Sequence, residues 1–424
     1  MDHKHRVHAQ SEKQSGKPVT KKNRVVAFLM RKKKHHGLNE EHFSEQRIYY
    51  ERIADRYHLL RSLAALLLAG VMILIGLMSY GFLEQNQFRY LYKIWRINPV
   101  SLDRQYNDIA YAAGNGAKFV FYKNDLAVIE GGKIAVYDLS GDRSFRAEAN
   151  NSAQAFAASD RYVALYTPGD KRFVMYDSFS SVYEHTFDYP IRLAAVSDSG
   201  NFAVCLREEE RVVVEVYNQN SVKECAVTLE KDAVIYDLDL SPNGDKLAIT
   251  TIEGGTLTGA GNYHTNFSLW DVSSEKELFH ERIAGKKPIA TSFFNNIRMY
   301  FAAEGSLIFC QTNGKVSQTV ETPSPCTVVS DDRSVAVSDG ASGVTVYSTK
   351  GEKRTEFALS EKMLDMKVKD GSCYVFSGRS ISLYDDHGQK KGDYEIKSGL
   401  LSFFIPDDGS ILICYVSETK RIVP

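Results

Sequence analysis

Ser241 to Thr250 reads SPNGDKLAIT, a turn running straight into a strand. Pro242, Asn243 and Gly244 are residues of a tight reversal, and Leu247-Ala248-Ile249 opens a short apolar run bounded by that reversal. The pair recurs along the chain. Lys123-Asn124-Asp125 precedes LAVIE, Ser159-Asp160-Arg161 precedes YVALY, and Ser197-Asp198-Ser199-Gly200 precedes NFAVCL. Asn295-Asn296 precedes IRMYFA, and Ser330-Asp331-Asp332 precedes RSVAV. Lys369-Asp370-Gly371 and Pro406-Asp407-Asp408-Gly409 lead into SCYVF and SILICY. The copies mostly fall about 36–40 residues apart, a period that marks a repeat architecture.

A second element follows each first after a further strand's length. Ala135-Val136-Tyr137-Asp138, Val174-Met175-Tyr176-Asp177, Glu215-Val216-Tyr217-Asn218 and Ser268-Leu269-Trp270-Asp271 end a strand in an aromatic and a polar turn residue. Thr345-Val346-Tyr347-Ser348 and Ser382-Leu383-Tyr384-Asp385 continue the series, with weaker forms at Ile308-Phe309-Cys310 and Arg421-Ile422-Val423. Two elements in one order and one period predict an all-β fold, a β-propeller of four-stranded sheets stacked around an axis. The count is eight blades; seven is the alternative, because the Asn295 repeat is the least regular. The last repeat ends at Pro424 after its third strand. A strand within Trp95–Ala112 is therefore expected to complete that sheet and close the ring.

Asp239-Leu240-Ser241-Pro242-Asn243-Gly244-Asp245-Lys246-Leu247-Ala248 resembles the S-P-D/N-G-x-x-L-A signature of WD40-like and YVTN-type propeller repeats. Leu269-Trp270-Asp271 resembles the W-D dipeptide closing the third strand of such blades. The match is good in one repeat and degenerate in the others, so it bears on fold rather than activity. The whole layout also resembles uncharacterised single-pass proteins of Firmicutes with an outer propeller of unknown function, which implies a cell-envelope location.

Outside the repeats, Ser62 to Leu83 forms 22 consecutive residues without a charge. As a helix they span about 33 Å, enough for a hydrocarbon core of roughly 30 Å. A cleaved signal peptide would need a shorter apolar region and a small-x-small site, which Met78-Ser79-Tyr80-Gly81 does not supply. The reading is an uncleaved single-pass transmembrane helix over 62–83. Residues 1–61 carry net +8 and residues 84–424 net −9, so the N-terminus is expected in the cytoplasm and the C-terminal domain outside, on the extracytoplasmic face of the cell membrane.

Residues 1–37 read as a disordered basic tail. Arg31, Lys32, Lys33 and Lys34 follow the apolar patch Val25–Met30, a pattern suited to anionic lipid at the membrane surface. Enforcement of topology explains the run equally well. Residues 38–61 predict a juxtamembrane amphipathic helix, with Phe43, Tyr50 and Tyr57 seven apart and a homodimer through that stripe as one option. An overall charge of −1 excludes a nucleic-acid binder relying on bulk positive potential.

The chain offers little chemistry. No C-x-x-C, H-E-x-x-H or G-x-S-x-G occurs, so no catalytic residue, metal site or cofactor is assigned. Ser273-Ser274-Glu275-Lys276 fits S-x-x-K but follows a strand instead of opening a helix. The six cysteines lie outside, and Cys205, Cys373 and Cys414 fall in apolar second strands, which predicts buried thiols. Cys205 and Cys225 would sit in non-adjacent strands, too far apart to bridge. Blade 4 carries an insertion, Glu253 to Asn266, whose Asn262, Tyr263 and His264 are the candidate binding residues; a tolerated surface excursion is the other reading. The expectation is a membrane-anchored binding or scaffolding module whose propeller takes an envelope protein or wall polymer. A propeller hydrolase or lyase, and a single-pass sensor, are the alternatives.

Overall fold

The structure, a computed structural model, describes residues 45–79, 108–111, 116–122, 125–130, 132–148, 155–177, 180–254 and 263–424. The chain divides into two units, Met1–Leu83 and Glu84–Pro424. In the first, one helix runs without a break from Glu45 to Ser79, so the juxtamembrane and apolar stretches are a single element. Its window Arg56–Ile73 is long and apolar enough to cross a membrane, and Leu59, Leu63, Leu66, Leu67 and Ile73 stand exposed. The tail with Arg31–Lys34, and the apolar stretch past Ser79, lie outside the described residues.

The second unit is an eight-bladed β-propeller. Every blade is a four-stranded antiparallel sheet in simple meander order. Blades 1 to 7 span residues 118–148, 155–186, 191–229, 234–284, 288–320, 327–358 and 365–395. Blade 8 takes Leu400–Phe404, Ile411–Tyr415 and Glu418–Ile422 from the C-terminus and Ile109–Ala110 from the start. Ile109 pairs with Thr419 and Ala110 with Glu418, so the ring closes through the expected N-terminal strand.

Burial explains why these segments are strands. Second strands such as Phe202–Arg207 and Ile411–Tyr415 are buried almost throughout, because both sheet faces meet a neighbouring blade. Fourth strands such as Ser181–Thr186 are mostly exposed and polar, as befits the outer rim. Among the described residues, eight apolar clusters each join two consecutive blades. One of them packs Ile109, Leu412 and Cys414 of blade 8 on Phe119, Leu126 and Val128 of blade 1. A blade alone would expose both faces, and burying each large side chain is worth about 1.5–3 kcal/mol, so the ring is stable only as a whole.

Turns between first and second strands carry the residues that reveal the repeat. Gly244 sits at φ +76, where an L side chain is strained, and Gly244 N donates to Ser241 O at 2.7 Å. Asp331 Oδ1 accepts the backbone N–H of Ser334 at 2.7 Å, the Asp counterpart of the same reversal.

Candidate functional site

First strands of successive blades pack against one another, so they line the axis and the ring has two unlike ends. At one end lie the turns between first and second strands. They are rich in carboxylates: Asp198 Oδ1 accepts the N–H of Asp160 at 2.8 Å, and Lys369 Nζ pairs with Asp407 at 2.6 Å. Crowding by the neighbouring turns, then the charge of Asp198, raises the Asp160 carboxyl above its ordinary value, while Lys369 opposes the shift.

The other end, where chains enter first strands and leave second ones, exposes apolar side chains beside Arg192 and Arg207. Four first strands carry a β-bulge near this entrance, with one extra residue at Arg192, Tyr236, Ile289 and Leu401. A bulge re-aims a side chain and breaks the alternation. In blade 3 this places Ile191 among residues of the blade 2 interface and Leu193 against the blade 4 interface, although they are two apart. Arg192 stands exposed, as do Tyr236 at 45% and Leu401 at 53%. Phe156, Val234 and Val416 add exposed apolar surface from blades 2, 4 and 8. Sequence reasoning missed these bulged residues; an arginine interrupting the apolar run Ile191-Arg192-Leu193-Ala194 was the available signal.

The wedge between blades 4 and 5 holds a polar cluster at its inner end. Asp237 Oδ2 accepts Thr291 N at 2.8 Å, Asp239 Oδ2 accepts Phe293 N at 3.0 Å, and the Thr250 and Thr291 hydroxyls lie 2.6 Å apart. Nearby, buried Tyr300 bonds its hydroxyl to Ser330 Oγ at 3.0 Å. Burial lifts the Asp239 carboxyl to about 7, against the hydrogen bond from Phe293. These groups satisfy one another, so the cluster first of all seals a blade junction.

Of the residues singled out in the insertion, Asn262 lies outside the described residues. Blade 4's second strand continues to Glu253 and its third begins at His264, with Glu253 opposite His264, so the hairpin absorbs both ends of the expected insertion and the connection covers 254–263. His264 is thus a strand residue, facing Ala284 on its other side. Tyr263 O accepts Gly285 N at 2.9 Å, which ties the end of the connection to the chain entering blade 5. Both belong to the end where chains enter first strands.

All six cysteines are free, five of them buried and Cys326 half-buried. Cys205 and Cys225 lie in the second and fourth strands of blade 3, separated by Val212–Tyr217. Desolvation pushes the Cys205 thiol up to about 12. Ser273 and Ser274 both bond to Asp271 Oδ1 at 2.8 Å, and Lys246 Nζ lies 3.1 Å from the same carboxylate, so the S-x-x-K stretch is a capped turn. Asp385, Asp386 and His387 gather on an outer turn of blade 7, where Lys391 already pairs with Asp385 at 2.9 Å.

A family model described as a family of unknown function, DUF5711, matches residues 103–423. No curated protein matches the chain in sequence. Among solved structures, BamB from Moraxella catarrhalis is 10% identical with a TM-score of 0.50, covering 75% of this chain and 99% of its own. A streptogramin B lyase is 10% identical with a TM-score of 0.44, covering 75% and 97%. At those identities the likeness to BamB speaks for the propeller fold alone.

Proposed function

The chain belongs to the DUF5711 family, which carries no assigned activity, and from its own residues we propose a binding module that a single helix holds on the outer face of a membrane. In this reading the helix within 45–83 spans the bilayer, residues 1–37 form the basic cytoplasmic tail, and the propeller from 84 onward docks an envelope protein. The observation that carries it is the set of bulged, exposed residues Arg192, Tyr236 and Leu401 beside Phe156, Val234 and Val416. Large apolar side chains exposed at one mouth of a closed ring offer apolar surface to a docking partner. Tyr263 and His264, where the third strand of blade 4 begins, lie at the same end.

Crosslinking in intact membranes tests this directly. A photoreactive residue at Tyr236 or Leu401 of the full chain is expected to trap a discrete partner. The same residue at Val222, exposed on an outer turn of blade 3, is expected to trap none. Equal yields at all three positions, or none at any, would sink the reading. Protease added to intact cells should reach the propeller, and protection of the whole domain would overturn the proposed orientation.

A second reading, a hydrolase or lyase, draws on Asp239, whose carboxyl titrates near neutrality as a general acid or base requires. Its bonds to Phe293 and Leu240 amides favour the sealing role.

A further inference from the structure

The wedge between blades 3 and 4 stays open at the end where chains enter first strands. A cavity of about 310 Å³ enters it there, walled by Leu193, Val212, Val234 and Ile235 and edged by Arg192 and Arg207. That volume lies at the small end of the range for ligand sites, roughly 300–1,000 Å³.

Both arginines are placed by the backbone. Arg192 is the extra residue of the bulge between Ile191 and Leu193. Arg207 ends the neighbouring second strand, opposite Val212, and its N–H donates to Pro190 O at 3.1 Å. Alternation along that strand gives Arg207 the same face as Cys205, which packs in the blade 3–blade 4 interface.

Among the described residues, neither guanidinium has an ion-pair or hydrogen-bond partner. Two of the acidic neighbours are engaged elsewhere. Glu208 pairs with Arg211 on the turn after Arg207, and Glu210 pairs with Lys231 from the chain entering blade 4. Glu209 is exposed between them. Two unpaired guanidiniums on the rim of an aliphatic cavity demand a particular ligand. The head must be an anion, because charge-assisted bonds strengthen next to apolar walls. Its body must be apolar, because a sugar or other hydroxylated group would leave those walls facing polar atoms.

We propose that this cavity binds a carboxylate carried on a small apolar body, with Arg192 and Arg207 holding the carboxylate and the aliphatic walls holding the body. Such a group is presented by the end of a peptide with a C-terminal apolar residue, or by a short acyl chain. The proposal rests on the reading of this end as the binding end and names what one part of it recognises.

The test titrates the full chain in lipid nanodiscs with N-acetyl-leucine and with octanoate, using empty nanodiscs as blank and the two neutral amides as controls. At least one carboxylate is expected to bind with a Kd at or below about 1 mM while its amide does not. Binding of N-acetyl-leucine alone identifies a peptide end, and of octanoate alone an acyl chain. Arg192→Gln and Arg207→Gln are each expected to weaken binding about tenfold or more, with the melting temperature unchanged, since both side chains are exposed. No binding of either carboxylate at ~10 mM, equal binding of the amides, or unaltered binding by the double variant overturns the proposal. Partner crosslinking at Tyr236 without carboxylate binding removes only this cavity. Carboxylate binding without crosslinking removes only the docking of a protein.

Discussion

Asp239 of blade 4 accepts, through Oδ2, the backbone N–H of Phe293 in blade 5 across 3.0 Å. Asp237 does the same for Thr291 at 2.8 Å, so two carboxylates supply the hydrogen bonds that first strands of separate sheets do not make with each other. Burial raises both carboxyl groups, Asp239 to about 7. An unfolded aspartate titrates near pH 4, so between about pH 4 and 7 the folded chain holds a proton that the unfolded chain has released. Stability therefore falls as pH rises through that window. That difference corresponds to about 4 kcal/mol at the limit, and less here because Asp239 keeps some contact with solvent. Asp339 and Asp393, whose hydrogen bonds from Ser342 and Ser382 lower their carboxyls, act with opposite sign and only below about pH 4. Asp239→Asn is expected to flatten the decline between pH 4.5 and 7.5 in urea midpoints. An unchanged slope would remove Asp239 as its source.

Arg421 is the clasp of the ring. Its side chain, 2% exposed, pairs with Asp408 and donates through Nη1 to Leu139 O of blade 1 at 3.2 Å. Arg421→Met leaves Asp408 facing a shell from which water is largely excluded, which is expected to lower stability by about 3 kcal/mol. Hydrogen exchange should then quicken first at Ile109–Ala110 and Glu418–Ile422, the strands that seal blade 8. Uniform acceleration around all eight blades would mean that the closure is not the weak point.

Thiol reactivity follows burial. In the folded chain only half-buried Cys326 is expected to react with a maleimide at neutral pH, and slowly, because burial raises its thiol as well. Cys205, Cys310 and Cys373, held up to about 12, should react only after unfolding. Mass spectrometry of native and denatured samples counts the labels. A native label on Cys205 would contradict the packing between blades 3 and 4.

The repeat was legible because turn and strand residues obey local rules. Gly200, Gly244 and Gly409 have positive φ at the places where the S-D-S-G, S-P-N-G and P-D-D-G turns predicted tight reversals. Eight blades and the closing strand at Ile109–Ala110 followed from period and from where the last repeat ends. The bulges were not legible, since a bulge is a property of two paired strands, and Ile191-Arg192-Leu193 states only one of them. The cavity edged by Arg192 and Arg207 was hidden for the same reason: its walls come from blades 3 and 4 with Pro168 of blade 2, and no single window contains it. In the insertion, composition marked glycines and polar groups as loop, while cross-strand pairing drew Glu253 and His264 into the hairpin.

Gly244 and Gly409 separate two reasons for glycine at otherwise equivalent turns. Their φ angles are +76 and +75, so alanine at either site meets the same backbone strain of about 1–2 kcal/mol. Their surroundings differ. A Cβ at Gly409 meets nothing within 4 Å, whereas one at Gly244 would fall 2.3 Å from Asn201 Nδ2 and 2.7 Å from Asn201 Cβ. Asn201 cannot simply swing away, because its Oδ1 accepts Gln219 N at 3.2 Å and links the turns of blade 3. Gly409→Ala is therefore expected to lose only the strain, about 1 kcal/mol, and Gly244→Ala at least about 1 kcal/mol more from the displaced Asn201. The gain from a stiffer unfolded chain is common to both and drops out of the difference. In Gly244→Ala/Asn201→Ala the extra loss should shrink toward the Gly409→Ala value. If instead Gly244→Ala and Gly409→Ala unfold at the same denaturant midpoint, the contact between the turns of blades 3 and 4 contributes nothing to holding those blades together.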